Sequence, residues 1–213
     1  QKHYTAKWEV FAGLEQFNYT ADSSGITING VKDTSITELT IPSCVTSIDS
    51  GCLNECRSLS SISVESGNPT YASRNGILYN SRITQIIYVP QKLSGDVVLA
   101  DGIRSIPRQA FYSRDEITSV NIPDSVTSIG MSAFYNCDNL QTVTLGVAVT
   151  EIKNGAFEAC SNLSLINWNA TAVEDFESDG IVHSRDVFTD TGENGFELVF
   201  GDNVERIPGY LFD

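Results

Sequence analysis

The chain has 213 residues and a net charge of −14, and 41% of its residues are hydrophobic while 19% are charged. This composition is too apolar for a disordered chain, and an acidic surface repels phosphate, so nucleic acid is not an expected partner. The sequence has no apolar run of about 18 residues, so we expect no insertion into a membrane. The acidity is uneven, because residues 117–213 carry 15 acidic and 3 basic side chains, against 12 and 10 in residues 1–116.

Residues 1–35 are predicted to form an N-terminal capping segment. Its first part shows no repeat but contains Trp8, Phe11 and Leu14, apolar side chains that could cover the open end of a coil. The ends of stacked repeats need such a cover, because they expose apolar core and unpaired strand edges. Residues 17–30 alternate apolar and polar side chains with period two, which is typical of a short hairpin or a degenerate first coil.

The first repeat unit begins at Ile36, and its period breaks at an insertion, residues 65–95. The insertion contains GILYNSRITQIIYVP, whose two apolar stretches on either side of Asn80 are expected to pair as a hairpin and to extend the sheet sideways. Loops carried on a rigid scaffold often make recognition contacts. Tyr79 and Tyr88 are therefore candidate partner-binding residues, unless they pack against the coil.

Residues 117–163 contain two copies of one 23-residue unit, and Ile117, Leu140 and Leu163 open successive units. A fixed period of this length indicates stacked coils, which stabilise one another because no unit can bury its apolar side alone. The pattern Leu-x-x-Val-x-Ile predicts a short strand with an inward face, Val-Thr-Ser-Ile a second strand, and Ser-Ala-Phe a brief helical turn. We therefore predict an α/β solenoid over residues 36–213, a β-rich coil of about 23 residues per unit with short helical turns.

A phenylalanine and a cysteine recur at fixed places in the unit. The phenylalanines are predicted to stack as a ladder inside the coil: Phe111, Phe134, Phe157 and Phe212. Cys137 and Cys160 share a place in consecutive coils, where a buried cysteine behaves as a small hydrophobe and a disulfide is conceivable but not favoured. The five cysteines cannot all pair within one chain. Cys52 and Cys56 occupy repeat positions rather than half of a zinc site, so we expect no metal and no cofactor.

The second insertion, residues 169–195, is the most acidic part of the sequence, and the repeat returns with Leu198. Asp175, Asp179 and Asp186 are candidate partner-binding residues in this loop. Calcium would require several oxygens that converge on one point, with a spacing such as that of an EF-hand. That spacing is absent, which favours a solvated loop over a cation site.

The remaining candidate residues lie on the outer side of the predicted strands, where small polar side chains recur. These partner-binding candidates are Thr118, Asn121, Gln141, Thr144 and Asn167. One face of a solenoid forms an extended, repetitive surface that suits a partner. The alternative is that serine and threonine are simply favourable in a solvated strand, and the lack of aromatic or arginine anchors favours this alternative.

The residue types that catalysis requires are scarce. The two histidines are His3, near the start of the chain, and His183, in the acidic insertion. His183-Ser184-Arg185-Asp186 has the letters of a triad, but adjacent residues cannot align as base, nucleophile and orienting group. Phosphate-binding glycine loops are also absent. We therefore expect no enzymatic activity.

The segment SVNIPDSVTSIGMSAFYNCDNL resembles the BspA-like leucine-rich repeat of bacterial surface proteins, and NPTYASRNGILYN and FGDNVERIPGYLF are similar to phrases that recur in that family. The resemblance covers residues 36–213. It implies a curved, right-handed leucine-rich-repeat solenoid, export to the cell surface, and a role in adhesion or contact with host proteins, without shared catalytic residues. The sequence departs from the family pattern at Arg114, where cysteine is usual, and at Gly146, where proline is usual.

These patterns allow three hypotheses about function. The first is a non-enzymatic secreted or cell-surface leucine-rich-repeat protein, a monomer that binds a protein or glycan on a host surface or in the extracellular matrix. Because the chain starts at Gln1 without a leader, this hypothesis presumes that a signal peptide has been removed. The second is a structural spacer that displays another domain, and the third is a hydrolase that uses His183. The first predicts a contiguous exposed apolar or aromatic patch, the second a uniformly polar surface, and the third a deep pocket at His183.

Overall fold

The computed structural model describes residues 13–174 and 187–209. Short strands make up nearly all of the regular structure in these residues, together with a 3₁₀ helix over Leu14–Gln16. The strands are β1 (Phe17–Asp22), β2 (Gly25–Val31), β3 (Glu38–Ile41), β4 (Val45–Ile48), β5 (Ser61–Val64), β6 (Tyr71–Arg74), β7 (Ile77–Asn80), β8 (Ile86–Tyr88), β9 (Gly95–Val98), β10 (Ser105–Ile106), β11 (Ile117–Asn121), β12 (Ser128–Ile129), β13 (Thr142–Leu145), β14 (Glu151–Ile152), β15 (Leu165–Trp168) and β16 (Glu197–Phe200).

Five parallel strands form the main wall of the solenoid, in the order β16-β15-β13-β11-β9. Val120 pairs with Val143, and Val143 pairs with Ile166, so equivalent residues in these coils are 23 positions apart. All three side chains are buried, because alternate residues of a strand point to opposite faces of the sheet. The predicted 23-residue period is confirmed, and it sets the register of this wall.

A second, shorter wall consists of β10, β12 and β14, which are also parallel. Ile106, Ile129 and Ile152 pair along it at the same spacing and are buried. A continuous apolar core between the walls extends from Ile77 to Val187. The fold is therefore a β-solenoid of about six turns, with a spacing of about 23 residues.

The third side of each coil is a series of turns, and the prediction of short helical turns there is wrong. Tyr135 N–H donates to Ser132 O at 3.2 Å, but Phe134 N–H donates to Ala156 O of the next coil at 2.8 Å. Ser132 and Asn136 have positive φ angles of 52° and 56°, which a right-handed helix does not allow. Stacking of coils, rather than helix formation, satisfies these backbone groups. The α/β class is thus corrected to a β-solenoid with almost no helix.

Phenylalanine rings stack through the interior of these turns. The ring centroids are 4.8 Å apart for Phe111 and Phe134, 5.2 Å for Phe134 and Phe157, and 5.8 Å for Phe157 and Phe188. Phe188 therefore takes the place after Phe157 that the sequence pattern assigns to Phe212, which lies outside the described residues. The ladder joins consecutive coils through side chains, as the strand ladders do through the backbone.

The first coils have an apolar core of their own. β1 and β2 form an antiparallel hairpin, as the period-two pattern predicts, and β2 pairs with β4 in parallel. β3 and β5 form a separate parallel pair. Leu14 and Phe17 are buried in this N-terminal core. Trp8 and Phe11 lie outside the described residues, so their part in a cap stays a prediction.

The first insertion lies between the two cores, which corrects the expectation that it extends the sheet sideways. β7 is the central strand of an antiparallel sheet with β6 and β8. Ile77 and Tyr79 pack in the main core, whereas Leu78 packs in the N-terminal core. β7 and β8 are the hairpin that the sequence predicts, and β6 is an additional strand. The turn between β6 and β7 has positive φ at Asn75 and Gly76, as a two-residue type I′ hairpin requires.

Part of the second insertion continues the coil. Glu174 N–H donates to Thr150 O of the preceding coil at 2.9 Å. Residues 175–186 lie outside the described residues. The coil is present again at Val187, whose carbonyl oxygen accepts a hydrogen bond from Phe157 N–H at 3.0 Å. β16 then pairs with β15 and completes the main wall in the described part of the chain.

Candidate functional site

The outer side of the main wall is a surface of ten side chains, which we call the sheet face. The register of the five strands arranges these side chains in two rows, and each is exposed or half-buried. The first row is Asp96, Ser119, Thr142, Leu165 and Glu197. The second row is Val98, Asn121, Thr144, Asn167 and Val199.

The five strand residues that the sequence singles out lie together on this side of the molecule. Asn121, Thr144 and Asn167 are neighbours in the second row, and Asn167 Nδ2 donates to Thr144 Oγ1 at 3.2 Å. Thr118 lies near the start of β11, and Gln141 directly precedes β13. Gln141 N–H donates to Thr118 O at 2.8 Å. The structure thus forms one polar surface from residues of three coils. Its binding of a partner stays a prediction.

A carboxylate at one end of the sheet face orients the hydroxyl groups beside it. Asp96 Oδ1 accepts hydrogen bonds from Ser119 Oγ at 2.7 Å and from Thr118 Oγ1 at 3.1 Å. Glu197 is exposed at the other end of the same row. The first row therefore has an acidic side chain at each end, and this arrangement favours a partner with basic groups.

The second row has an exposed apolar side chain at each end. Val98 is 52% exposed and Val199 is 42% exposed. A depression of about 290 Å³ adjoins the row, and Asn121, Thr144 and Asp124 contribute to its lining. Exposed apolar groups beside fixed polar groups are the composition that protein interfaces commonly have.

The two tyrosine candidates of the first insertion are not exposed anchors. Tyr79 is fully buried in the main core and cannot contact a partner, which corrects its selection as a partner-binding residue. Its hydroxyl oxygen accepts a hydrogen bond from Ala100 N–H at 3.4 Å, and burial raises the pKa of the phenol. Tyr88 is half-buried and donates its hydroxyl proton to Leu53 O at 3.0 Å. Burial also raises the pKa of the Tyr88 phenol.

The acidic candidates of the second insertion cannot be placed. Asp175, Asp179 and Asp186, and the histidine His183, lie outside the described residues, so their roles stay predictions. In the part of the chain that the structure describes, no three His, Cys, Asp or Glu side chains are grouped in a way that could hold a metal ion. The helices in that part include none with the length and apolarity needed to cross a lipid bilayer.

The cysteines at the repeat position belong to the core. Cys137 Sγ donates to Phe111 O at 3.0 Å and Cys160 Sγ donates to Phe134 O at 3.1 Å, and both are free and buried. A hydrogen bond with Cys160, and then burial, raise the pKa of the Cys137 thiol. A thiol that keeps its proton is a poor nucleophile, so Cys137 stabilises the coil rather than reacts. Cys160 packs in the same core at the equivalent place of the next coil.

A second candidate site, which the sequence does not predict, is a cleft of about 700 Å³ beside the corner turns. Its lining includes three cations, Arg57, Lys92 and Arg114, and the aromatic side chains Tyr88 and Tyr112. We call it the cation cleft. Its walls come from separate stretches of the chain, so no local motif marks it. The one signal in the sequence is Arg114, which stands where the following coils have cysteine.

Parallel strands at a fixed period, stacked corner turns and an open strand face define a leucine-rich-repeat solenoid. A profile described as the BspA type leucine rich repeat region matches residues 9–96 and 91–213, with six copies. The chain therefore belongs to the BspA-type leucine-rich-repeat family, which confirms the resemblance seen in the sequence. Solenoids of this class are typically non-enzymatic scaffolds for protein interaction.

Solved bacterial proteins have a similar fold. A leucine-rich repeat protein from Eubacterium ventriosum is 22% identical, covers 78% of this chain and 49% of its own, and has a TM-score of 0.51. The pneumococcal vaccine antigen PcpA is 16% identical, with coverages of 79% and 44% and a TM-score of 0.55. A leucine rich cell surface protein from Faecalibacterium prausnitzii is 23% identical, with coverages of 78% and 48% and a TM-score of 0.50. The chain thus spans less than half the length of each, and these likenesses show the fold alone.

A search of curated proteins found no match for this chain.

Proposed function

We propose that the chain is a non-enzymatic, secreted or cell-surface module that binds a partner protein through the sheet face. The observation that carries this proposal is the open side of the five-stranded parallel wall. Parallel sheets are usually covered on both faces, but here Asn121, Thr144 and Asn167 stand in one row at the surface. An uncovered parallel sheet is a preformed contact surface.

The sheet face suits binding because it is already ordered. Its three central strands are fixed by ladders to both neighbours, and some of its side chains bond to each other, as Ser119 does to Asp96. A surface that is rigid before binding loses little conformational entropy when a partner docks. Val98 and Val199 supply apolar contacts at its two edges, and the carboxylates of Asp96 and Glu197 favour a partner with basic side chains.

The similar proteins support a location at the cell surface. One is described as a leucine rich cell surface protein and another as a vaccine antigen. We extend this location to the present chain as part of the proposal. We also propose that it acts as a monomer and that its partner is a protein of a host surface or of the extracellular matrix.

The proposal is tested by a pull-down of the chain on a panel of immobilised extracellular-matrix proteins. The test variant is Thr144→Arg, which places a long cation at the centre of the second row. The matched control is Thr150→Arg. Both threonines are half-buried, and each shares one side-chain hydrogen bond with a neighbouring coil, Thr144 with Asn167 and Thr150 with Thr127. Retention should be lost in Thr144→Arg and kept in Thr150→Arg. Equal retention of the two variants, or no retention of the unaltered chain, contradicts the proposal.

The second candidate function is a structural spacer, which the continuity of the main core favours. One cluster of buried side chains extends from Ile77 to Val187, so these coils form a single rigid body that could hold another domain at a fixed distance. A spacer needs no apolar surface, however, and Val98, Tyr112 and Val199 are exposed by at least 40%. Because Val98 and Val199 stand at opposite ends of the second row, they do not form one contiguous apolar patch, and it is the open, ordered sheet face that favours the binding function over the spacer.

A further inference from the structure

Arg114 breaks the repeat at a position that is otherwise buried. The next two coils carry Cys137 and Cys160 at this place, and each thiol donates to a carbonyl of the preceding coil. The Arg114 guanidinium also donates to the preceding coil, through Nε and Nη2 to Val89 O at 3.3 and 2.8 Å. The arginine side chain is longer than that of cysteine, and its Nη1 also donates to Gln91 Oε1 at 2.8 Å. A small core residue has thus been replaced by a positive charge at the wall of the cation cleft.

Arg114 forms no ion pair in the described part of the chain, and the Asp115 carboxylate next to it offsets only part of the cost of burying its charge. Its Nη1 also donates to Tyr112 O at 2.8 Å, so the hydrogen-bond acceptors of the guanidinium are carbonyl oxygens and one amide oxygen. Burial lowers the pKa of Arg114, which shows that the surroundings disfavour the cation. A half-buried guanidinium that is not directly paired with a carboxylate is costly to stability. A residue that lowers folding stability in this way is typical of a functional site, where the side chain is kept for binding rather than for packing.

Two more cations stand at the same cleft. The exposed side chain of Arg57 makes no hydrogen bond or ion pair in the part of the chain that the structure describes. Lys92 pairs with Glu116 at 3.0 Å, but both side chains remain about half exposed. None of the nine described residues that line the cleft is acidic. Three cations and no acidic side chain in the lining of one cleft, on a chain of net charge −14, point to an anionic ligand.

The other side chains of the cleft suit a sugar ring. Asn54 and Gln109 supply amide groups that can donate to and accept from hydroxyls. Tyr88 and Tyr112 supply aromatic surface for the apolar face of a ring. Tyr112 is 40% exposed and is supported by Tyr135, whose ring is stacked on it at 5.0 Å. Amides, aromatic rings and cations around one cavity are the groups that an acidic sugar requires.

We propose that the cation cleft binds a carboxylate-bearing sugar unit of an acidic glycan. The guanidinium of Arg57, which is unpaired in the described part of the chain, can bind a carboxylate with two parallel hydrogen bonds. Arg114 and Lys92 add positive electrostatic potential to the cleft. The cleft volume of about 700 Å³ lies within the range of ordinary small-ligand sites. An extended acidic peptide would need cations spaced along a groove, whereas these surround one cavity. The cleft has no residue in common with the sheet face, so this proposal does not depend on the proposed function.

Isothermal titration calorimetry with a hyaluronan tetrasaccharide tests the proposal, because this probe carries carboxylates and no sulfate. Chitotetraose is the neutral control sugar, and hexaglutamate is the acidic peptide control. We expect the hyaluronan probe to bind and chitotetraose not to bind. Arg57→Gln and Arg114→Cys should each weaken binding about tenfold or more, whereas Arg82→Gln, which removes an exposed arginine outside the cleft, should leave it unchanged.

Arg114→Cys introduces the residue that the next two coils carry at this place, and it removes the hydrogen bonds of the guanidinium together with its charge. If its circular dichroism spectrum shows a misfolded chain, Arg57→Gln alone decides, since the Arg57 side chain has no bond to lose in the described part of the chain. The proposal is overturned if hyaluronan does not bind, if chitotetraose or hexaglutamate binds as tightly, or if Arg57→Gln binds like the unaltered chain. Thr144→Arg should bind the sugar normally, so a failure of the sheet-face proposal remains distinguishable.

Discussion

Phe134→Ala should destabilise the solenoid more than truncation of any ring at its edge. Phe134 is fully buried, and its ring stacks on Phe111 at 4.8 Å and on Phe157 at 5.2 Å. Truncation of a buried phenylalanine to alanine typically costs about 3–5 kcal/mol, and a ring pair contributes about 0.5–1.5 kcal/mol beyond its buried area. Since Phe134 belongs to two pairs, we expect about 4–5 kcal/mol, at the upper end of the range.

Thermal unfolding followed by circular dichroism measures this effect. A chain of this size loses about 2–4 °C in Tm per kcal/mol, so Phe134→Ala should lower Tm by about 8–20 °C. The matched control is Phe188→Ala, because Phe188 is half-buried, stacks at a longer 5.8 Å and has a tilted contact with Phe196. Its partial burial predicts a smaller loss of about 1–3 kcal/mol.

The size of the difference between the two variants is the test of the ladder. If Phe134→Ala lowers Tm by less than about 4 °C, the ring contributes no more than an ordinary surface side chain. If Phe134→Ala and Phe188→Ala lower Tm equally, the position within the stack has no effect. Either result would refute the conclusion that the phenylalanine ladder joins the coils.

Three further perturbations have effects that the structure predicts. Gly146→Ala should lower stability by about 1–3 kcal/mol, because an added Cβ would lie 2.4 Å from Pro123 O, and an unchanged Tm would contradict this. Burial raises the pKa of Cys52 to about 11. Alkylation of this thiol by iodoacetamide should therefore be slow at pH 8 and accelerate toward pH 11. Rapid alkylation of Cys52 at pH 8 would contradict its burial. Because that pKa lies above the ordinary value of 9.0, the stabilisation from the neutral thiol is complete below pH 9 and is lost as pH rises toward 11. Tyr79→Phe should cost about 1 kcal/mol or less, since it removes one long hydrogen bond, whereas Tyr79→Ala should cost about 3–5 kcal/mol; equal melting temperatures for these two variants would show that the ring is not in the core.

The stacking of the coils is predictable from the repeat alone. Val120, Val143 and Ile166 recur at one place of the unit, and strand pairing brings them into register. The prediction of helical turns is wrong at Ser132 and Phe134 for a physical reason. Their residue types allow a helix, but their N–H groups find carbonyls in the next coil, and such partners exist only once the coils have stacked.

The placement of the first insertion depends on contacts that the period does not describe. Ile77, Leu78 and Tyr79 are consecutive apolar residues, a pattern typical of a strand that is buried on both faces. The Asn75-Gly76 pair that turns the chain into this strand is a hairpin signal. Both signals are present in the sequence, but the separation of two cores by this strand becomes visible only in the packing of its side chains.

The two candidate sites differ in how far the sequence can predict them. The sheet face follows from the period, since equivalent places such as Asn121, Thr144 and Asn167 must align. The cation cleft combines residues that are far apart in the chain, such as Arg57 and Arg114, and the insertion between them hides their proximity in the sequence. The departure of Arg114 from the family pattern indicates an unusual position in the sequence, but it does not predict that a cavity lies there.

The affinity of the chain for the matrix protein that retains it, measured by biolayer interferometry, tests the central claim most directly. Asn121→Arg alters an exposed residue of the sheet face, and Thr127→Arg makes the same change at an exposed residue outside it. If the sheet face is the contact surface, Asn121→Arg should raise Kd about tenfold or more, while Thr127→Arg should change it by no more than about twofold. Equal Kd values for the two variants would contradict the claim.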